Sequence, residues 1–272
     1  MKKYAYFRYF LVFLVMVLPY VGGVAFQGVE MVFVQRKPEA EEYLPMIVSS
    51  QITADMEQET IKAQTVIARS NTQRKLREGK MLPEILRENV DGMNFCRNIF
   101  SPKDKVYELA AEETRGQVLT YQGELKLTPW HRCSAGKTRS GEEAFGDEAY
   151  TYLRSVDSSE DKKLQDYVKT VEVSAQQIGG ELKIQNRDSA GYVTELSMGK
   201  TALEGEGFAA GLGLESANFS LQKKDDVYYF RVRGSGHGVG FSQCGGNEMA
   251  KKGSSAEEIL KKYFPAMKLK NL

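Results

Sequence analysis

Asp55–Gly79, DMEQETIKAQTVIARSNTQRKLREG, is the stretch from which the fold reads outward. Met56, Thr60, Ala63 and Ile67 recur at spacings of four, three and four, which places them in one stripe along a helix. Asp55 can cap that helix, with Gln58 at its third position, and Gly79 and Pro83 close it. Residues 80–105 hold no clear period and read as an irregular insertion or short helices. From about residue 115 the period changes to two. Val118–Tyr121, a Gln122-Gly123 turn and Glu124–Leu127 predict a hairpin. Tyr167–Val173, Glu181–Gln185 and Tyr192–Leu196 predict strands, and Phe219–Gln222 with Val227–Val232 a second hairpin turning at Lys224-Asp225-Asp226. Two short helices follow. One spans Asn247–Lys252 and ends at Gly253; the other opens with a capping box at Ser255-Ala256-Glu257-Glu258 and stops at Pro265. The fold class is therefore α+β, a β-rich middle with helices at both ends.

The N-terminus predicts a different environment. Lys2, Lys3 and Arg8 precede an apolar run from Tyr9 to Phe26, roughly 18 residues, enough to cross a bilayer core as a helix. The basic flank keeps the start cytoplasmic and sends the body outside. A cleaved signal peptide is the rival reading, but Gly22-Gly23-Val24-Ala25 is a poor cleavage site and apolar residues recur at Met31–Val34. The chain thus divides into an anchor over 1–34, a linker over 35–42, a body over 43–265 and a tail over 266–272. Elsewhere 37 basic residues nearly cancel 36 acidic ones, so no global field draws the protein to nucleic acid. Three cysteines, Cys96, Cys133 and Cys244, are too few and too scattered for a disulfide-stapled fold, and the core must carry it.

Four segments in one order resemble the SpoIID/LytB family. They are Tyr43–Arg69; Glu113–Tyr121 leading to His131–Thr138; Gly213–Phe219; and Gly236–Gln243 continuing to Asn247–Ala250. The resemblance covers residues 43–265 and implies a bacterial cell-wall role. SpoIID-like members are single-pass membrane proteins of engulfment, lytic transglycosylases that cut glycan strands stripped of their stem peptides. LytB-like members are named as amidase enhancers. The resemblance therefore implies peptidoglycan glycan strands, a cell-wall amidase and other engulfment proteins as partners, and no resident cofactor.

A lytic transglycosylase needs one well-placed carboxyl to protonate the glycosidic oxygen, the nucleophile being the sugar's own C6 hydroxyl. The family's acid lies in a Glu-Met-Pro motif before the first helix. Alignment through Tyr43 and Ala63-Gln64 puts Gln51-Ile52-Thr53 there, and an amide carries no acidic proton. Two readings follow: a glycan-cleaving enzyme in which Glu59, beside the apolar stripe, has become the acid, or an inactive scaffold that binds glycan. Glu57 points further out, and both acids also suit a helix's first turn without any catalytic role. A plain envelope structural protein would leave the glycine–histidine motif without a role.

The two histidines, His131 and His237, fall inside family motifs and are candidate catalytic residues of the groove. With Cys133 and Cys244 they form a set of two imidazoles and two thiols that would suit tetrahedral zinc, although neither spacing is a zinc signature. The bland alternative is histidines lining the groove and cysteines packing as small apolar residues. Lys62, Arg69, Gly238, Ser242 and Gln243 are candidates for substrate binding. Lys62 and Arg69 share the helix face opposite the stripe, which equally suits a solvated face or an ion pair. Gly234–Gly240 lacks the Gly-Lys-Ser/Thr ending of a phosphate loop and suits close backbone approach. Trp130 and Tyr121 suit sugar stacking or core packing.

Overall fold

The computed structural model describes residues 39–89 and 105–272. The expected anchor over 1–34, residues 35–38 of the expected linker, and Cys96 lie outside the described residues, while the linker's last three residues, Ala40, Glu41 and Glu42, belong to the first helix rather than to a linker. No helix among the described residues is long and apolar enough to cross a membrane.

The body opens with α1 (Ala40–Gln51) and α2 (Gln58–Arg77), followed by α3 (Leu82–Asn89) and α4 (Lys105–Glu113). The expected single stripe on α2 is too narrow. One side buries Ala63, Val66 and Ile67 in one core; Ile61 and Ala68 enter a second core with Leu44, Ile47 and Val48 of α1 and Ala110 of α4. A helix apolar on several sides is a central one. Each fully buried Ile, Leu or Val there contributes about 1.5–3 kcal/mol. Nor does Asp55 cap α2: its N-cap is Glu57, whose backbone N–H donates to Asn247 Oδ1 at 2.8 Å. The span 80–105, expected as an irregular insertion or short helices, contains the short helix α3, whose Ile85 is buried.

β1 (Gln117–Thr120) does not form the expected hairpin. Tyr121 and Glu124 close the turn, with Gln122 and Gly123 at positive φ, but the neighbour of β1 is the chain's last strand. Next come β2 (Trp130–His131), the short helix α5 (Gly141–Phe145) and two single-turn 3-10 segments, Glu148–Tyr150 and Ser159–Lys163. A β-rich lobe follows, comprising β3 (Val168–Ser174), α6 (Ala175–Ile178), β4 (Leu182–Arg187), β5 (Val193–Met198), β6 (Thr201–Glu204), α7 (Gly205–Gly211), β7 (Phe219–Lys224) and β8 (Val227–Arg233). Its strands form two antiparallel sheets in the orders β3-β8-β7 and β4-β5-β6. Phe219, Phe230, Tyr192 and Leu196 lie in the lobe's core. The β7–β8 hairpin turns where expected, with Asp225 at positive φ.

The chain then returns through β9 (Phe241–Ser242), α8 (Gln243–Lys251), α9 (Ala256–Tyr263) and β10 (Lys268–Asn271). The expected capping box at Ser255 and Glu258 opens α9. β10 pairs antiparallel with β1, so the segment read as a tail is a strand. β9 runs parallel to β2, setting His131 opposite Ser242. That two-residue ladder brings the first histidine motif and the glycine–histidine motif together.

Candidate functional site

Gln51, at the end of α1, lines a cavity of about 510 Å³ together with His131, His237, Trp130 and Arg132. The far wall is the second half of α2, including Asn71, Arg74 and Lys75. A smaller cavity of about 250 Å³ adjoins it and shares Gln51, Trp130 and Arg132; Met56, Thr53 and Gln243 complete it. The approach to α2, at Thr53 and Met56, thus borders only the smaller hollow. Neither cavity is lined by an Asp or Glu among the described residues.

Gln51 is held by an ordered run of amides. Gln243 Nε2 donates to Gln64 Oε1 at 3.1 Å and to the Gln51 carbonyl at 2.8 Å. Gln64 Nε2 donates to Gln51 Oε1 at 2.7 Å, and Gln51 Nε2 donates to Asn89 Oδ1 at 3.1 Å. Asn89 Nδ2 ends the run on the Ile85 carbonyl at 2.7 Å. Gln64 and Gln243 are buried, and burial makes such a satisfied network rigid.

His131 is 2% exposed. Its Nδ1 lies 3.1 Å from the Val239 carbonyl, which makes Nδ1 the protonated nitrogen and leaves Nε2 as an acceptor. Nε2 has no protein partner although it is buried. Burial, reinforced by the neighbouring His237, pushes its pKa down to about 3, so the ring is neutral across the physiological range. His237 is exposed at the cavity wall, with its ring centroid 5.7 Å from that of His131. Its Nδ1 accepts from the Val239 N–H at 3.1 Å. The protein packed around the concave wall, assisted by the Arg139 charge and opposed by Glu206 and a Trp130 backbone contact, lowers its pKa as well. His131 can accept a hydrogen bond at Nε2, whereas His237, whose Nδ1 already accepts from Val239, carries its ring proton on Nε2.

The loop carrying His237 is shaped by close backbone approach. Gly238, at φ +79°, lies where a Cβ would meet Tyr192 Cζ at 2.4 Å; Gly240, at φ +74°, lies where one would meet the Pro129 carbonyl oxygen at 2.2 Å. Arg139 fastens the loop from beneath. Its guanidinium pairs with Asp188 at 2.5 Å and with Glu206, donates to the His237 carbonyl at 3.2 Å, and lies over the Tyr192 ring. Nothing in the sequence reading pointed to this clamp. Its members are far apart along the chain, and only the fold joins them.

Several sequence expectations are corrected here. Glu59 does not reach the cavities. It pairs with Lys62 at 2.6 Å and accepts from the Ala256 N–H at 2.7 Å, supplementing the cap of α9. Burial would raise its pKa, but the hydrogen bonds from Lys62 and Ala256 and the Lys62 charge outweigh this and hold it below the usual value, the wrong direction for an acid. Lys62 is engaged by Glu59 and Glu113, away from the groove. Arg69 is 1% exposed, and its donors go to both Glu41 carboxylate oxygens, Thr114, and the Ala111 and Gln117 carbonyls. It ties α1, α2, α4 and β1 together and has no donor left for a substrate. Gly238 is buried against Tyr192, and Ser242 is buried with its hydroxyl donating to Asp161. Gln243 borders the smaller cavity but acts on Gln51. Tyr121 stacks on Tyr152 in the core rather than in the groove, at 5.2 Å between centroids.

The zinc set also fails to assemble. His131 and His237 line the large cavity, whereas Cys133 and Cys244 line a separate one of about 390 Å³. Among the described residues no group of three or more His, Cys, Asp or Glu side chains is placed to hold a metal ion. Beside the thiols lies a second feature the sequence hid, the buried Asp161. Its Oδ2 accepts from the Ser134 N–H (2.9 Å) and from the hydroxyls of Ser134 (2.5 Å), Ser242 (2.9 Å) and Ser158 (3.0 Å). Burial raises its pKa despite these donors. It is fully enclosed and joins the segments after β2 and at β9, which makes it a fastener of the site's floor.

The family model for the stage II sporulation protein, SpoIID, matches residues 31–121. The stage II sporulation protein D of Bacillus subtilis is 30% identical over 249 residues, covering 82% of this chain and 72% of that protein. The protein of the same name from Bacillus amyloliquefaciens is 28% identical over 253 residues, with the same coverage of each chain. The match to the Bacillus subtilis protein takes in most of the body, so the chain belongs to the stage II sporulation protein D family.

Proposed function

We propose that this protein is a glycan-binding, non-cleaving member of its family, acting in sporulation-related cell-wall remodelling outside the membrane. The observation that carries the reading is the groove itself. It is large enough for sugar residues and offers Trp130 as an apolar face, amides and neutral imidazoles as polar partners, and no carboxyl among the described residues. Sugars are bound by this mixture of ring stacking and neutral hydrogen-bonding groups. The unpartnered, buried Nε2 of His131 is an acceptor waiting for a donor, and a sugar hydroxyl supplies one. Cleavage requires an acid within about 2.6–3.2 Å of the glycosidic oxygen. Gln51 holds an amide at the position aligned with the family's acid, and Glu59 is committed elsewhere. A glycan-bound member without an acid fits the role of a scaffold for a partner hydrolase such as an amidase, held at the membrane through residues 1–34. The cleaving alternative needs a carboxyl, which neither cavity wall supplies among the described residues.

The test uses the full chain in detergent. Incubated with peptide-free glycan strands, it should retain them in co-sedimentation while mass analysis finds no newly formed anhydro ends. Products carrying such ends, accumulating with time and protein concentration, would overturn the non-cleaving reading. Failure to retain any glycan would overturn the binding reading.

A further inference from the structure

Arg132 occupies an unusual place. It lines the large cavity, the smaller one beside it and the thiol-lined cavity, so its side chain stands where the three meet. It is exposed, and it makes no salt bridge or side-chain hydrogen bond among the described residues. The groove's other cations differ. Arg74 is paired with Glu78 at 2.6 Å and Lys75 with Glu88 at 2.6 Å. The amides around Gln51 already satisfy one another. Among the described residues the groove therefore offers one uncompensated, planar, five-donor cation in a wall without carboxylates. The acids of the third cavity, Asp166 and Glu215, border only that cavity, and Glu215 is paired with Lys169.

We propose that Arg132 is a specificity-determining residue that reads a free carboxylate on the glycan. This rests on the glycan-binding reading and narrows its substrate class. Muramic acid carries a lactyl carboxylate beside the sugar ring. That group is a free anion on a strand without stem peptides and a neutral amide on a strand that still bears them. A guanidinium fork matches a carboxylate with two parallel N–H···O bonds, a geometry an amide cannot reproduce because one of its positions is itself a donor. The neighbouring residues suit the rest of the ligand, with Trp130 preceding Arg132 in the chain and Gln51 on the shared wall. The cation also explains how a groove lined by neutral histidines could prefer stripped strands without any hydrolytic check.

The experiment compares three ligands on the full chain: peptide-free strands, the same strands with their carboxylates converted to amides, and a chitin oligosaccharide that has none. Wild-type protein should bind the peptide-free strands roughly tenfold to a hundredfold tighter than the amidated ones, the range for a charge-assisted pair. Arg132→Gln should bind all three at the level of the amidated strands, and Arg132→Lys should recover part of the preference. Because Arg132 is exposed, thermal melts of both variants should match wild type, separating recognition from folding. Equal wild-type affinity for free and amidated strands, or an undiminished preference in Arg132→Gln, would overturn the inference while leaving glycan binding intact. Binding of none of the three ligands would overturn the reading beneath it, and this inference with it.

Discussion

Replacing Gln51 with Glu tests the site most directly, and the structure sets what to expect. The side chains match in shape, so packing is unchanged. What changes is the run of hydrogen bonds. Gln64 Nε2 still donates to the oxygen it reaches at 2.7 Å. The other end, formerly an N–H donor 3.1 Å from Asn89 Oδ1, becomes a second oxygen facing an acceptor. Asn89 could rotate its amide to donate instead, but its Nδ2 already bonds the Ile85 carbonyl at 2.7 Å. Giving that up costs about 0.5–1.5 kcal/mol, and more if the buried carbonyl is left unpaired. The cheaper solution is for the introduced carboxyl to keep its proton and donate to Asn89. That is the protonation state a general acid requires. Gln51→Glu should therefore raise cleavage of peptide-free glycan by about 10²–10⁴-fold over a wild type at background, the usual contribution of general acid catalysis. The assay follows anhydro-ended fragments by mass, with wild type, Gln51→Glu and Glu59→Gln in parallel. Strong wild-type cleavage, or an inert Gln51→Glu variant that still binds glycan, would refute the reasoning.

Three further outcomes follow from the same structure. The folded pKa of His131 is about 3, against about 6.5 in an unfolded chain, so between these values the unfolded state binds the extra proton. Stability is full above pH 6.5 and falls on acidification by up to about 1.4 kcal/mol per pH unit; denaturant melts between pH 6.5 and 5, above most carboxylate titration, should show this slope reduced in His131→Gln. Arg69→Met leaves Glu41 and two backbone carbonyls without their donor and should cost about 3–5 kcal/mol in urea unfolding, and a loss below 1 kcal/mol would show that the Arg69 cluster is not a structural tie. Gly238→Ala forces a Cβ to within 2.4 Å of Tyr192 at φ +79° and should cost about 2–5 kcal/mol, read in thermal melts, with weakened glycan binding as the His237 loop moves; an unperturbed melt would contradict the close approach.

Local signals in the sequence proved accurate where local physics decides the outcome. The capping box at Ser255, the Asp225 turn and the body of α2 formed close to where their residues place them. The misses share one cause, partners distant in sequence. β1 was given a hairpin neighbour because Gln122-Gly123 does turn the chain, yet its ladder is completed by β10 about 150 residues later. α1 was concealed by Pro45 and by a charged run resembling a linker; its helix is stabilised by burying Leu44, Ile47 and Val48 against α2. For Arg69 the sequence leaves substrate binding, a solvated face and an ion pair open; the fold selects the ion pair, because only it shows that Glu41 and Thr114 enclose the guanidinium. For the site, the motifs nominated Gln51, His131 and His237, and the fold sets all three along one cavity. They also nominated Ser242, Gly238 and Cys133, whose places the fold decides: Ser242 donates to the buried Asp161, Gly238 packs against Tyr192, and Cys133 borders the thiol-lined cavity instead.

The amide run explains why the residue at position 51 matters beyond its missing proton. Each member donates in the same direction, from Gln243 through Gln64 and Gln51 to Asn89 and the Ile85 carbonyl. Such a chain has a polarity, and each interior position must accept on one side and donate on the other. An amide does this at any pH. A carboxyl does it only while protonated, and an ionised one would set two acceptors against each other at Asn89. Gln51 thus fixes the groove wall independently of pH, and the groove's charge then comes from its cations, of which Arg132 alone is unpaired among the described residues. A site that must only hold a glycan gains from this arrangement, since the amide at position 51 carries no charge at any pH. A site that must cleave one would lose by it, since the same constancy removes the proton it has to deliver.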